Sequence, residues 1–373
     1  MRVIVTGGGT SGHVNPALAI ANTIKKNIPD SEIIYVGTKR GIENKLAPRE
    51  GYKVYHVEVQ GIKRSLSLSN IKSLYLAVTS PIKAKKIIKE FKPDVVIGTG
   101  GYVCWPVMKA ASDMKIPTVL HESNSIPGVA IRMLAKYVDR IFVNFESTVQ
   151  KFPEEYRHKV MRVGNPLRPD FLKLDYNEAR KDLGIDGKYE KFILSCGGSM
   201  GAEKINEAVL KLMKNYTSKH PEILHLHATG AIEYEASMNM YKEYGLNKFE
   251  NIKVLEYIYD MPVQMAAADL VINRAVAMTL SELAMMKKAA ILIPSPNVTD
   301  NHQYKNAHEL ESAGAAVLIE EAKLSDGHFE NAVDKILFEK DGENMRENIG
   351  KFACKDAEKL IYNDILRLVK EKK

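Results

Sequence analysis

The sequence predicts an α/β protein with two parallel sheets, and three observations predict it. Short β-branched and aliphatic runs alternate with longer segments of helical spacing along the whole chain. A strand–glycine loop–helix pattern opens the chain and starts again near Phe192. Between the two occurrences lies Gly164-Asn165-Pro166-Leu167-Arg168-Pro169, the clearest linker, with two prolines and a glycine in six residues. The expected division falls at this linker, 1–165 before it and 166–354 after it, and the last helix, about 355–370, could pack on either domain.

The opening strand is the β-branched run at 3–5. Gly7, Gly8, Gly9 and Gly12 follow it, and Pro16 sits where a helix is expected to begin. Such a loop uncovers backbone amides beside a helix dipole, which makes an anion cradle. His13 adds a titratable group at its end. A phosphate-binding P-loop needs Lys then Ser or Thr after Gly12, and the chain has His13-Val14. Gly7, Gly9 and Gly12 do fit the dinucleotide spacing, but the second strand, 33–36, ends in Gly37-Thr38-Lys39-Arg40 with no acidic residue. NAD is therefore disfavoured, while NADP through Arg40 stays open.

Further strands are expected at 54–57, 95–97, 118–120, 141–143 and 160–163. After the linker they are expected at 192–195, 224–228, 252–255, 270–273, 290–293 and 316–319. Ligands of such sheets bind at the carboxyl ends of the strands, and two facing sheets would form a cleft. Four further strand ends draw attention. Gly98-Thr99-Gly100-Gly101-Tyr102 is a second cradle or simply a glycine-eased turn. His121-Glu122-Ser123-Asn124 supplies ligand contacts, or Glu122 or Asn124 caps the helix starting near Pro127. Arg274 leads into a helix entered at Thr279, where Glu282 either meets ribose hydroxyls or closes a capping box. The polar run from Asp300 to Asn306 has the address of a sugar- or amide-binding segment.

Composition bounds the rest. The 373 residues are 45% hydrophobic and 27% charged, ordinary for a soluble globular chain with room for two domains. Cys104, Cys196 and Cys354 are far apart and read as reduced thiols of a cytoplasmic protein. The chain enters its first strand at once, so no signal peptide is expected, and no apolar run approaches a membrane span. Residues 1–165 carry 25 basic against 13 acidic side chains, and the remainder 28 against 33. A basic first half suggests an anionic partner. Ile71, Leu74, Tyr75, Val78 and Ile82 fall at helical spacing after Leu66 and Leu68, flanked by Lys63, Arg64, Lys72, Lys83, Lys85 and Lys86. Pro81 must break or kink that helix. The pattern suits a helix lying on an anionic membrane surface, and also the commoner sheet-packing helix with a solvated lysine face. There is no Asp-x-Asp and no zinc spacing, so neither a metal nor another cofactor is expected.

Gly-Gly-Thr-Ser-Gly-His at 8–13, Gly-Gly-Tyr-Val at 100–103, His-Glu-Ser-Asn at 121–124, Gly-Asn-Pro-Leu-Arg at 164–168, Gly-Gly-Ser-Met-Gly-Ala at 197–202, the stretch 274–282 and His-Gln-Tyr-x-Asn-Ala at 302–307 together carry a specific resemblance. Over nearly its whole length the chain resembles the MurG family, the undecaprenyl-diphospho-muramoylpentapeptide β-N-acetylglucosaminyltransferases of peptidoglycan synthesis. The resemblance implies the GT-B fold, two Rossmann-like domains around a cleft, the last helix crossing back to the first domain, which is then 1–165 plus 355–373. It implies UDP-N-acetylglucosamine as donor and lipid I (undecaprenyl-diphospho-MurNAc-pentapeptide) as acceptor, with lipid II the product of an inverting transfer. No nucleic acid is implied, and the place of work is the cytoplasmic face of the bacterial membrane. Thr10, Ser11, Gly12, Asn124, Arg168, Ser199, Ile258 and Gln303 match donor-contacting positions, as do Ala277, Met278, Thr279, Leu280, Ser281 and Glu282. Glu282 is expected on the ribose and the Ile258 backbone near uracil. The acceptor diphosphate is expected on Gly9, Gly100, Gly101 and Tyr102.

His13 is the expected general base, with Glu122 its rival, because imidazole is poised near neutral pH. Arg274 and the helix end at 277–279 are expected to stabilise the leaving diphosphate. Val276 stands where the family usually has Gly, and Lys287-Lys288-Ala289 replaces its usual Gly-x-Pro. A β-branched residue would be costly if that turn needs φ > 0, so a donor-impaired homologue or a silent scaffold stays open. So does a UDP-N-acetylglucosamine 2-epimerase of the same two-domain plan.

Overall fold

The computed structural model describes residues 1–59, 69–198, 200–324 and 327–372; of 69–78 and 169 it describes the backbone alone. The chain forms two compact units, Met1–Leu167 with Asp356–Lys373 and Arg168–Lys355.

Unit 1 alternates strand and helix from its first residues: β1 (Arg2–Thr6), α1 (Ser11–Asn27), β2 (Glu32–Gly37), α2 (Glu43–Arg49), β3 (Lys53–His56), α3 (Ser69–Phe91), β4 (Val95–Gly98), α4 (Cys104–Asp113), β5 (Thr118–Glu122), α5 (Val129–Leu134), β6 (Arg140–Val143), the single turns α6 (Glu146–Val149) and α7 (Glu154–Arg157), and β7 (Val160–Arg162). The sheet is wholly parallel, in the order β3-β2-β1-β4-β5-β6-β7. Ile4 of β1 stands beside Ile34 of β2 and Val96 of β4. Period-2 alternation explains why both faces are apolar. Val3 and Val5 pack with Val14, Ala17 and Ile24 of α1, while Ile4 packs on the other face with Val107 and Ala111 of α4.

Unit 2 repeats the plan with α8 (Tyr176–Asp182), β8 (Lys191–Cys196), α9 (Glu203–Asn215), β9 (Ile223–Ala228), α10 (Tyr234–Glu243), β10 (Ile252–Leu255), α11 (Met261–Ala267), β11 (Leu270–Asn273), α12 (Ala277–Met285), β12 (Ala289–Leu292), α13 (His302–Glu311), β13 (Val317–Leu318), α14 (His328–Phe338) and α15 (Asp341–Gly350). Its parallel order is β10-β9-β8-β11-β12-β13. The core joins Ile193, Leu270 and Ile291 of the sheet to Ile205 and Val209 of α9 and to Phe329 and Val333 of α14.

The last helix, α16 (Ala357–Glu371), belongs to unit 1. Ile361, Ile365, Leu368 and Val369 recur at helical spacing and join the α1 face of that core. Arg140 holds it further, through Asp364 at 3.4 Å and Glu371 at 3.0 Å.

All thirteen expected strands form. Two expectations about element limits need correcting. α1 begins at Ser11, and Pro16 lies inside it. Proline is tolerated in this second turn because the carbonyl it leaves without an amide, that of Gly12, lies at the exposed head of the helix. β5 runs on through His121 and Glu122, burying both side chains.

Candidate active site

In unit 1 the strand ends of β1 and β4 bring two glycine turns into contact. The Gly8 amide donates to Gly100 O at 3.2 Å. Gly100 has φ +111°, and a Cβ there would lie 2.6 Å from His13 Nδ1. Gly101 has φ +82°, and a Cβ there would lie 2.2 Å from Gly8 O. Both positions therefore require glycine on two counts. His13 rises from the first turn of α1, half-buried, with its Nδ1 3.1 Å from Thr99 O. A carbonyl can only accept, so Nδ1 carries a proton, and it is Nε2 that bears the lone pair when the ring is neutral. Thr99 also donates its hydroxyl to His13 O at 2.6 Å, which clamps the residue at both ends. Thr99 carried no sequence signal beyond its place between glycines.

The amides around this ring differ in part from those expected. Among the described residues the amides of Gly9, Thr10, Ser11, Gly12, Gly101 and Tyr102 have no acceptor in the protein. The amide of Gly100 does, in Cys104 Sγ at 3.1 Å, so Gly100 supplies room for the imidazole and not a donor. Tyr102 is 57% exposed.

Glu122 is buried, and both its oxygens are engaged. Oε1 accepts from Asn124 N and Nδ2, each at 2.9 Å, and Oε2 accepts from Gly128 N at the head of α5 at 2.8 Å. Burial raises its pKa, opposed by these hydrogen bonds. The carboxylate thus organises the 124–128 loop, and Asn124 is held half-buried in it. His121 is wholly buried, its Nε2 donating to Gly164 O at 3.0 Å, and burial depresses its pKa to about 4.

The NADP reading fails on geometry. Glu43 folds back over the end of β2, accepting from Thr38 N at 2.7 Å and Thr38 Oγ1 at 2.9 Å. Its carboxylate lies within 3.1 Å of a Cβ built on Gly8. A buried carboxylate at the end of β2 disfavours a 2′-phosphate there.

In unit 2 the carboxyl ends of β8, β11 and β12 carry the other candidates. α12 begins at Ala277, with Val276 as N-cap and no side-chain cap among the described residues. Thr279 is thus the third helical residue, and the capping-box reading with Glu282 falls away. Val276 takes φ −74° and ψ 130°, an extended conformation that a β-branched residue adopts freely. The cost that a positive φ would impose on that substitution is absent. Lys287 takes φ +50° and fills the usual glycine position after α12. Its amide bonds Ala284 O at 3.2 Å and that of Lys288 bonds Leu283 O at 2.9 Å, a Schellman end. Lys288 is buried and donates to Ala266 O and Ala268 O, the last carbonyls of α11.

Glu282 stands on the inner side of α12. Burial raises its pKa to about 7, with Arg168 opposing. Arg168 itself is exposed and stacks over Phe171. Arg274, expected to stabilise the leaving diphosphate, has its guanidinium donating to Ile293 O at 3.0 Å and paired with Glu321. Ile258 is buried between the exposed Tyr257 and Tyr259. Met278, Thr279 and Ser281 are half-buried and Ala277 and Leu280 buried. Gln303 is buried, its Oε1 accepting from Ser295 N at 2.9 Å, just after Asp300 and Asn301, which both adopt left-handed backbone at φ +58° and +50°. Two such residues in succession mark stored strain beside a ligand-binding candidate. Ser199 lies outside the described residues.

Comparison with known proteins gives the family. Residues 3–143 match the glycosyltransferase family 28 N-terminal domain and residues 192–361 its C-terminal domain. The chain belongs to glycosyltransferase family 28. Within that family it is 43% identical over 373 residues to the UDP-N-acetylglucosamine–N-acetylmuramyl-(pentapeptide) pyrophosphoryl-undecaprenol N-acetylglucosamine transferase of Acetivibrio thermocellus, covering 100% of this chain and 99% of the relative. It is 40% identical to the enzyme of the same name from Clostridioides difficile, covering 99% and 89%. The crystal structure of Acinetobacter baumannii MurG aligns with a TM-score of 0.80 at 25% identity, over 98% of this chain and 99% of that one. A UDP-GlcNAc 2-epimerase from Neisseria meningitidis shares the fold, with a TM-score of 0.66 at 17% identity, over 98% and 100%.

Proposed function

We propose that this family 28 chain transfers N-acetylglucosamine from UDP-N-acetylglucosamine to the muramyl 4-hydroxyl of lipid I, with inversion, to give lipid II. The observation that carries the mechanism is the clamped imidazole of His13, whose Nδ1 proton faces Thr99 O. Nε2 then takes the proton of the acceptor hydroxyl as the oxygen bonds the anomeric carbon and the bond to UDP breaks. Glu122 is the weaker candidate, because both its oxygens already accept hydrogen bonds. The unengaged amides of Gly9, Thr10, Ser11, Gly12, Gly101 and Tyr102 suit the acceptor's diphosphate. The N-terminus of α12 suits the departing UDP, and Glu282 its ribose.

The test is transfer of labelled sugar from UDP-N-acetylglucosamine to a lipid I analogue. His13→Ala is expected to cut turnover by about 10²- to 10⁴-fold while donor affinity holds. Unchanged turnover removes His13 as the base. Epimerisation of donor alone, followed by NMR, would favour the epimerase reading instead.

A second reading concerns the membrane. No helix among the described residues is long and apolar enough to cross one. α3 and α5 flank α4, and these two expose Ile82, Val129 and Met133. Lys83, Lys85 and Lys86 lie beside Ile82 on α3. This mixture suits attachment to the anionic cytoplasmic leaflet, where lipid I would be met. The expected contributions of Leu66, Leu68, Lys63 and Arg64, and of the side chains of Ile71, Lys72, Leu74, Tyr75 and Val78, fall outside the described residues.

A further inference from the structure

Five linked hydrogen bonds run through the buried core of unit 2 beneath α9. Asn206 Nδ2 donates to Thr229 O at 2.9 Å, so Asn206 Oδ1 accepts from His227 Nε2 at 3.1 Å. His227 Nδ1 lies 2.9 Å from Ser195 Oγ and 3.1 Å from the Ser195 carbonyl oxygen. Ser195 Oγ also bonds His225 Nε2 at 2.9 Å, and Thr217 Oγ1 bonds His225 Nδ1 at 3.2 Å. Burial lowers the pKa of His227 to about 4 and that of His225 well below its ordinary value. All six residues are buried, and a linked buried network of this kind is stiff.

The network ends on the wall of the second glycine loop. Thr229 O lies 2.3 Å from where a Cβ on Gly201 would stand. A Cβ on Gly230 would lie 2.1 Å from Gly201 N. Gly201 and Gly230 have φ +90° and +80°. No slack separates the two turns, so any displacement of Thr229 passes to Gly201 and to the head of α9.

We propose that Thr217, His225, Ser195, His227 and Asn206 form a positioning device for the diphosphate half of the donor, fixing Thr229 and through it the Gly201 turn. The proposal rests on the reading of unit 2 as the UDP-N-acetylglucosamine-binding unit. None of the five residues is assigned a contact with substrate; they act through the backbone of 229–230.

The experiment measures the affinities of UDP-N-acetylglucosamine, UDP and uridine for the full chain by calorimetry. His227→Phe and Asn206→Ala are expected to weaken both diphosphates about 3- to 10-fold, the range of one net hydrogen bond, and to leave uridine unchanged. His227→Gln keeps one donor and one acceptor and should restore binding. In turnover, KM for the donor rises while KM for a lipid I analogue holds. Equal weakening of uridine, or undiminished binding of UDP, overturns the proposal. Asn206→Ala, which removes only the last hydrogen bonds, decides the matter if His227→Phe fails to fold. A parent chain that binds UDP-N-acetylglucosamine no better than uridine overturns the reading of unit 2 itself, and the proposal with it.

Discussion

An imidazole serves as a base at a chosen nitrogen only if something fixes the proton on the other one. For His13 that is Thr99 O, and the space for the ring is the missing side chain of Gly100. Gly100→Ala is therefore expected to push the ring aside and lower turnover by about 10²-fold, with the donor still bound. Assays of turnover and donor affinity on one preparation check it. Glu282 makes a pH prediction. Its folded-state pKa is raised to about 7 by burial, so its contribution to stability is complete below the ordinary carboxyl value of 4.5 and is lost as pH rises through 7. Glu282→Gln should leave stability at pH 4 nearly unchanged and raise it at pH 8. Donor affinity of the parent should rise through pH 7 as the carboxylate forms, and that rise should vanish in Glu282→Gln, because an ionised acceptor bonds hydroxyls more strongly. Denaturation and binding curves across pH measure both. His13, Glu122 and Glu282 were legible as candidates from strand-end position. What separated them was invisible in sequence: which oxygens and nitrogens were already engaged.

The central strands were legible because parallel strands buried on both faces need apolar runs, as in β1, β4 and β12. Helix starts were less so. Pro16 suggested a first turn, yet α1 begins five residues earlier, since a glycine-rich head can wind without a side-chain cap. Thr279 suggested an N-cap that Val276 occupies instead. The two histidines at period 2 in β9, His225 and His227, were a readable sign of a polar stripe that sequence reasoning passed over. Lys287 offers the test at this scale. It closes α12 in left-handed backbone, which costs a side-chain-bearing residue roughly 1 kcal/mol. Lys287→Gly should stabilise the protein by about 0.5–1 kcal/mol in urea denaturation, less whatever packing its stem gives against Gly350.

Across the whole chain the excess of basic residues lies in the first half, which also exposes Ile82, Val129 and Met133. Binding to vesicles containing anionic lipid should therefore weaken as salt rises, and Ile82→Ser with Met133→Ser should weaken it further without loss of donor affinity. Sedimentation with vesicles measures this; salt-independent binding would point to a purely apolar attachment.

The sequence by itself determined the number of strands, their division into two repeats and the family, because burial on both faces and glycine at unavoidable positive φ leave their mark in local composition. Only the tertiary structure decided that Arg274 is paired with Glu321, that Glu122 holds a loop, that Val276 is unstrained and that Thr99 sets the proton on His13. Those outcomes depend on contacts between residues far apart in the chain, and a side chain's partners are not written in its neighbours.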